Sequence, residues 1–410
     1  MAEPLRLSEY ETGRVRMSRS QAKGFIDTGF VAVSPDTEPG WWEVTAGHHV
    51  GTLVVDDLRI HVKPKIKLEN LFLLLSVGLQ EEDWRRAAAL YATDEDLLPA
   101  VISFFTRQVD RTLAKGIYRS YREERDRLNA LRGRIDIPTQ ITRAGVIHPV
   151  DCRFVEYTAD VEENRYLRAA VRRALRVRQV QPADRRRLLR TLVTLEEAKD
   201  VVVRPESIDR IGFNRLNDHY QPTLRLARLL LENLTLEDDP GETLATSFMV
   251  DMNMLFERFV SNQLEEALRN RLEVKGQYRT HLDRARRVPI RPDLVFLRRG
   301  DLAFVGDLKY KVLDKRWGSL TSDLFQVLAY VTALDLPEGV LVYCRDPDTD
   351  SLQHDAVTVR HSNKGLHVWG VNMSGPPSEV QAEMLALADW IADRANRATP
   401  LTHPVVSVAS

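Results

Sequence analysis

Cysteine is nearly absent from this chain: Cys152 and Cys344 are the two in 410 residues. They lie far apart and form no CxxC pair. That argues against a disulfide framework and a cysteine zinc site, and it fits a reducing cytoplasm. Long apolar runs are missing too. The most hydrophobic stretch, Leu71 to Leu79, is too short to cross a bilayer and reads as a buried helix, so no membrane association is expected. The first residues, Met-Ala-Glu-Pro-Leu-Arg, lack the apolar core of a signal peptide. Nor is there an excess of one charge. Lys and Arg number 58 against 59 Asp and Glu, so any attraction to nucleic acid has to come from local charge. Neither a G-x-x-x-x-G-K-[ST] phosphate loop nor a G-x-G-x-x-G turn occurs, so the chain is not expected to bind nucleotide.

What is present describes a globular protein of two or three domains, with 43% hydrophobic and 29% charged residues. The pattern reads as an α+β multidomain chain. Residues 1–92 form a small β-rich N-terminal domain, with strands at Trp41 to Val44, His49 to Val55 and Leu58 to Val62, and a tight turn at Asp56-Asp57. Residues 93–236 form a mainly helical middle region. Its helical stripes include Leu97, Val101, Phe104 and Phe105, then Tyr166, Leu167, Ala170 and Val171, then Leu224, Ala227 and Leu230. A short strand is expected at Leu131 to Ile137, and a linker at Glu237 to Glu242 around Pro240-Gly241. Residues 237–410 hold a helix at Met252 to Leu268, strands at Asp293 to Leu297 and Leu302 to Lys311, a helix near Ser322 to Leu334 and a strand at Gly339 to Cys344. That order describes a mixed sheet with helices packed on it. The tail after Leu401 is expected to fray.

The two strands around Arg299-Gly300-Asp301 carry the chemistry. If that turn sets the register, Arg298 faces Leu302, and counting back sets Asp293 opposite Asp307. Lys309, two residues beyond Asp307, points to the same face. Val295, Leu297, Ala303 and Val305 share that face; Leu294, Phe296, Phe304 and Leu308 share the other. Apolar residues on both faces indicate a buried central hairpin instead of a solvated one. Facing carboxylates cost about 0.2–1 kcal/mol even when exposed, and burial adds to that. A divalent cation between them removes the penalty. Oxygen ligands without Cys or His suit Mg²⁺, with Mn²⁺ as a substitute. Lys309 beside the metal could position or deprotonate a water and stabilise charge on the phosphate.

These residues resemble the PD-(D/E)xK nuclease superfamily. Pro292-Asp293 matches its first element and Asp307-Leu308-Lys309 its second. Leu308 departs from the small polar residue of many relatives, but only its backbone carbonyl is expected near the metal. By the same resemblance Glu257, on the helix Met252 to Leu268, supports the metal site. Gln326 and Tyr330, four apart on one helix face, match the QxxxY motif of the RecB-like branch and are expected to contact DNA together with Lys311.

The whole chain resembles the McrC family, the nuclease subunits of McrBC modification-dependent restriction systems. The marks are Leu58-Arg-Ile-His-Val-Lys-Pro-Lys-Ile66, Leu131-Arg-Gly-Arg-Ile-Asp136, Glu163-Asn-Arg-Tyr-Leu167, Asp307-Leu-Lys-Tyr-Lys311 and Ser322-Asp-Leu-Phe-Gln-Val-Leu-Ala-Tyr330. The resemblance implies a Mg²⁺-dependent endonuclease that docks through its N-terminal part on a McrB-like AAA+ GTPase ring, stimulates its GTPase and cuts DNA. A RecB-like repair nuclease with another motor and a nuclease-dead activator of an NTPase are the alternatives. The arginine-rich stretch Arg165 to Arg190 could track DNA phosphates, meet an acidic partner or form a solvated helix pair.

Overall fold

A computed structural model of the chain describes residues 4–66, 68–75, 97–143, 148–177, 180–236, 245–312, 320–345, 353–373 and 375–397. The boundary expected near residue 92, the linker at Glu237 to Glu242 and the tail after Leu401 lie outside these. The architecture is mixed α+β, in two compact units. One comprises residues 1–51, 57–77 and 249–410; the other comprises 52–56 and 78–248. This grouping differs from three consecutive segments, because residues 1–51 pack with the C-terminal part of the chain.

The first unit is built on a six-stranded mixed sheet. Its order is Glu273–Gly276, Leu294–Arg298, Asp301–Val312, Glu338–Arg345, Gly365–Asn372 and His354–Thr358. The long strand Asp301–Val312 is antiparallel to Leu294–Arg298 and parallel to Glu338–Arg345. Helix Thr321–Ala333 covers one face, where Val327 and Val331 pack in one core with Val295, Val305, Leu341 and Val368. On the other face Phe296 meets Phe304, and Phe304 meets Trp390 of helix Pro377–Arg397 edge-on. Apolar residues on both faces therefore do what the pattern implied: the hairpin is central and covered twice. Gly339 lets the covering helix approach, since a Cβ there would lie 2.8–3.0 Å from side-chain atoms of Val331, Val305 and Val327.

The hairpin turn differs from expectation, while its register does not. Arg298 pairs with Asp301 across a two-residue turn, Arg299 (φ 55°) and Gly300 (φ 93°). Positive φ at both positions suits the twist of a tight hairpin. A bulge at Ala303 then absorbs one residue, giving Phe296–Phe304, Val295–Val305 and Leu294–Gly306. The pairing ends there, and Asp293, the next residue, reaches the Asp307–Leu308 segment with its side chain, accepting the Leu308 N–H at 2.9 Å.

The N-terminal part of this unit holds a three-stranded sheet, Thr12–Arg16, Trp41–Ala46 and Val31–Pro35 in that order. Helix Arg19–Thr28 starts at a reciprocal Ser18–Gln21 capping box and ends at Gly29 in the left-handed region. Strand Leu5–Ser8 runs parallel to Leu58–Lys63.

The second unit contains helices Leu97–Ala114, Glu162–Leu175, Pro182–Thr194 and Gln221–Asn233. It also has a long antiparallel pair, Ser120–Leu128 with Val150–Thr158, which the helical reading of this region missed. The strand expected over Leu131 to Ile137 shrinks to Arg134–Ile135, because helix Ile137–Ile141 begins there under an Asp136 cap. Much of the arginine-rich stretch binds the unit's own backbone and acids. Arg168 donates to the Leu195 carbonyl at 2.6 Å, Arg173 to that of Leu234 at 2.8 Å, and Arg185 to those of Leu175 and Val177 at 3.0 and 2.7 Å. Arg165 pairs with Asp160 at 2.6 Å and Arg172 pairs with Asp200. These guanidiniums satisfy carbonyls at helix ends and loops, which neither the DNA-tracking nor the solvated-face reading foresaw.

Candidate active site

Asp307 lies in the middle of the long strand with no solvent exposure. Neither of its carboxylate oxygens has a well-directed hydrogen bond. The Lys309 ammonium, 2.7 Å from Oδ2, is its ion-pair partner. Burial, and then the charge of Asp293, push the Asp307 carboxyl up to about 7, against the pull of Lys309. Burial works against the charge on Lys309, but Asp307, Asp293 and Asp323 outweigh it and hold the ammonium above the usual lysine range.

Asp293 is held differently. Its Oδ2 accepts the Leu308 backbone N–H at 2.9 Å, a bond made possible by the facing register. Its Oδ1 accepts the side-chain amide of Gln277 at 3.1 Å. The same Gln277 amide donates to Glu257 on helix Met252–Leu268. Burial, and next the Asp293 charge, raise Glu257 above the ordinary carboxylate range. Gln277 thus bridges two carboxylates. Its backbone sits at φ 52°, and its N–H donates to the Asp293 carbonyl at 2.8 Å. Sequence reasoning missed Gln277; a lone glutamine beyond an edge strand gives no periodic signal.

Gln326 and Tyr330 share a helix face as the spacing required. The Gln326 amide donates to the Tyr330 hydroxyl at 2.7 Å, and that hydroxyl donates to the Arg291 carbonyl at 3.3 Å. The Tyr330 ring is buried in the core with Val327 and Val331, and burial pushes its hydroxyl up to about 12. Its tip therefore holds the segment that delivers Asp293. Lys311 pairs with Asp323 at 3.1 Å, and Asp323 also accepts the Tyr343 hydroxyl at 2.8 Å. Asp323 is a second residue that the sequence reading did not single out.

The structure thus brings Glu257, Asp293, Asp307 and Lys309 into one cluster, and adds Gln277. The donor set is all hard oxygen. Asp307 contributes two buried oxygens, Oδ2 ion-paired with Lys309 and Oδ1 without a hydrogen-bond partner, beside a second carboxylate whose orientation is fixed. That arrangement fits a hard divalent cation such as Mg²⁺ or Mn²⁺, because the single ammonium of Lys309 leaves two facing carboxylates, that of Asp307 fully buried, only partly compensated.

A mixed α+β protein with an acid cluster and a lysine on its central hairpin is the class that fold and site define. The chain belongs to the family described as McrBC 5-methylcytosine restriction system component, whose profile matches residues 44–344. A refined half-complex from a tetradecameric assembly of Thermococcus gammatolerans McrB AAA+ hexamers with bound McrC contains a chain of like fold. Identity is 20%, the TM-score is 0.54, and 95% of this chain and 100% of that chain are covered. A cryo-EM structure of the Thermococcus gammatolerans McrBC complex matches at 23% identity and TM-score 0.42, over 65% of this chain and 88% of that one. No curated protein matches. Among the described residues, no helix is long and apolar enough to cross a membrane.

Proposed function

We propose that this chain is the McrC-like endonuclease subunit of a McrBC-type restriction system, working with a McrB-like AAA+ GTPase ring and stimulating its GTPase. Family membership and the likeness to a chain of the McrB–McrC assembly support the division of labour. The observation that carries the enzymatic part is Asp307, fully buried beside Asp293 and ion-paired with Lys309. A nuclease-dead adaptor has no use for that arrangement.

Asp307 and Asp293 would hold the ion, with Glu257 supporting Asp293 through Gln277. When bound, Mg²⁺ supplies Lewis acidity to the phosphate oxygens and a lowered pKa for a water. The protein's own share follows from the geometry. Leu308 N–H and Gln277 fix the Asp293 carboxylate before substrate arrives. Lys309, held as an ammonium by Asp307, Asp293 and Asp323 in the metal-free cluster, would donate to the attacking water or to a phosphate oxygen and offset charge there. Tyr330 and Gln326 brace the Arg291–Asp293 segment, and Lys311, ion-paired with Asp323 in the free chain, would have to exchange that partner to meet a DNA phosphate.

The test is co-purification of the chain with its AAA+ partner, followed by cleavage of methylated and unmethylated DNA in Mg²⁺ and GTP. Partner-dependent cleavage of methylated DNA, lost on adding EDTA, is expected. GTPase stimulation without any cleavage would support the adaptor reading instead.

A further inference from the structure

His48, His49 and Asp251 form a second polar cluster at the start of helix Met252–Leu268. One potential ligand atom from each lies within 4.8 Å of the others. All three residues are partly exposed, so an ion could reach them from solvent. The arrangement is unusual for consecutive residues. Neighbours in a strand point to opposite faces, yet the two imidazoles lie side by side, centroids 4.3 Å apart and planes 37° apart. The cause is local. His48 lies in the two-residue connection after strand Trp41–Ala46, and only His49 belongs to the following strand.

Each group is held from behind. The backbone N–H of Met252 donates to the His48 carbonyl at 3.1 Å, which locks the two segments together. The His49 ring packs edge-on against Phe30 at 5.0 Å. Asp251 Oδ1 caps the helix, accepting the N–H groups of Asn253 and Met254 at 2.9 and 3.1 Å. That leaves Oδ2 facing His48 Nε2 at 3.5 Å. This separation is long for a charge-assisted hydrogen bond, which runs about 2.7–2.9 Å. It suits two ligands of one ion: with metal–ligand bonds of about 2.0–2.1 Å, tetrahedral ligands sit roughly 3.3 Å apart.

We propose that His48, His49 and Asp251 bind a divalent transition-metal ion of the Zn²⁺ class. The ion would clip the start of strand His49–Val55 to the N-cap of helix Met252–Leu268. Two imidazoles and one carboxylate are a borderline donor set, selecting Zn²⁺, Co²⁺ or Ni²⁺ over Mg²⁺. The site is chemically distinct from the all-oxygen cluster around Asp307. Asp251 also offsets the positive end of the helix dipole, which would otherwise repel a cation. The role is structural: it ties the N-terminal strands to the helix that carries Glu257.

The experiment titrates Co²⁺ and Zn²⁺ into the full-length chain carrying Asp307→Asn, in excess Mg²⁺, so that the acid cluster does not contribute. Visible absorption reports Co²⁺ with nitrogen ligands, and calorimetry gives stoichiometry. One equivalent is expected, with visible bands intensified over aqueous Co²⁺. His48→Gln and His49→Phe, the latter keeping the packing on Phe30, should each weaken binding at least tenfold. Circular dichroism checks that both fold, and His48→Gln, which removes no ring packed on Phe30, suffices if His49→Phe does not. Absence of Co²⁺ or Zn²⁺ uptake, or unchanged affinity in a folded variant, would overturn the assignment. Neither result bears on DNA cleavage, which rests on Asp307.

Discussion

Asp293 and Asp307 face each other, yet the chain treats them differently. Asp293 accepts two hydrogen bonds that hold its carboxylate in one orientation. Asp307 is buried with none that is well directed, and its carboxyl is pushed up to about 7. A carboxyl raised in the folded state binds more protons there than in the unfolded chain. Its contribution therefore lowers stability as pH rises from about 4, the unfolded value, to about 7, the folded one. The metal-free Asp307→Asn protein should accordingly be more stable than wild type at pH 8, by at most a few kcal/mol given about 1.4 kcal/mol for each pH unit between those two values and the loss of the Lys309 ion pair, and lose that advantage near pH 4. Urea titrations at the two pH values check this. Mg²⁺ must displace the same proton, so wild-type metal affinity should climb between pH 6 and 8. Lys309 separates binding from chemistry. Lys309→Ala should keep Mn²⁺ affinity within a few-fold, because an ammonium is no ligand, while cleavage falls by roughly 10²-fold or more. Calorimetry beside a cleavage assay tests the split; a loss of Mn²⁺ affinity matching that of Asp307→Ala would contradict it. At this scale the sequence was informative where residue type and period-two spacing coincide, as for Asp293, Asp307 and Lys309. It was silent on Gln277 and Asp323. Their partners arrive from distant segments, and a glutamine or aspartate at one position carries no pattern.

Elements reached by hydrophobic period were read well, and elements without it were not. The central hairpin is apolar on both faces, which marked it as buried; its register was counted from a turn that was misread, and it holds beyond the bulge only because the bulge restores it. Arg298 meets Asp301, and the Ala303 bulge compensates. The pair Ser120–Leu128 and Val150–Thr158 was missed for the opposite reason. The first strand reads Ser-Tyr-Arg-Glu-Glu-Arg-Asp-Arg-Leu, with no residue fully buried, so it has no apolar alternation to detect. Its stability comes from pairing along nine registered positions and from ion pairs such as Arg127 with Asp151 at 2.9 Å. Close packing at the core sheet gives a sharper test. Gly339→Ala adds a Cβ at 2.8–3.0 Å from three valine side chains. It should lower stability by about 1–3 kcal/mol through overpacking, read as a shift in denaturant midpoint. An unchanged midpoint would show that helix Thr321–Ala333 can withdraw freely.

On the scale of the whole molecule, the chain is divided in space and not simply along its length. Residues 1–51 and 57–77 belong with 249–410. Specific contacts hold them there: the Tyr310 hydroxyl donates to Glu9 at 3.1 Å, and Asn70 donates to the Gly375 carbonyl at 3.0 Å. A fragment of residues 1–236 therefore loses the partners of its own first segment. Its amides within residues 5–63 should exchange faster than in the full chain, and its thermal transition should be lower and broader. Equal protection in fragment and full chain would mean the N-terminal strands fold without the rest. No sequence period reveals such a grouping, because it depends on contacts separated by hundreds of residues.

The central claim is that the buried acid cluster makes this chain the cutting subunit. The direct measurement compares wild type and Asp307→Asn, each assembled with the AAA+ partner, for cleavage of methylated DNA in Mg²⁺ and GTP, with GTP turnover recorded in the same samples. The account predicts cleavage by wild type, its loss in Asp307→Asn, and equal GTP turnover in both. Cleavage by Asp307→Asn at the wild-type rate would contradict it.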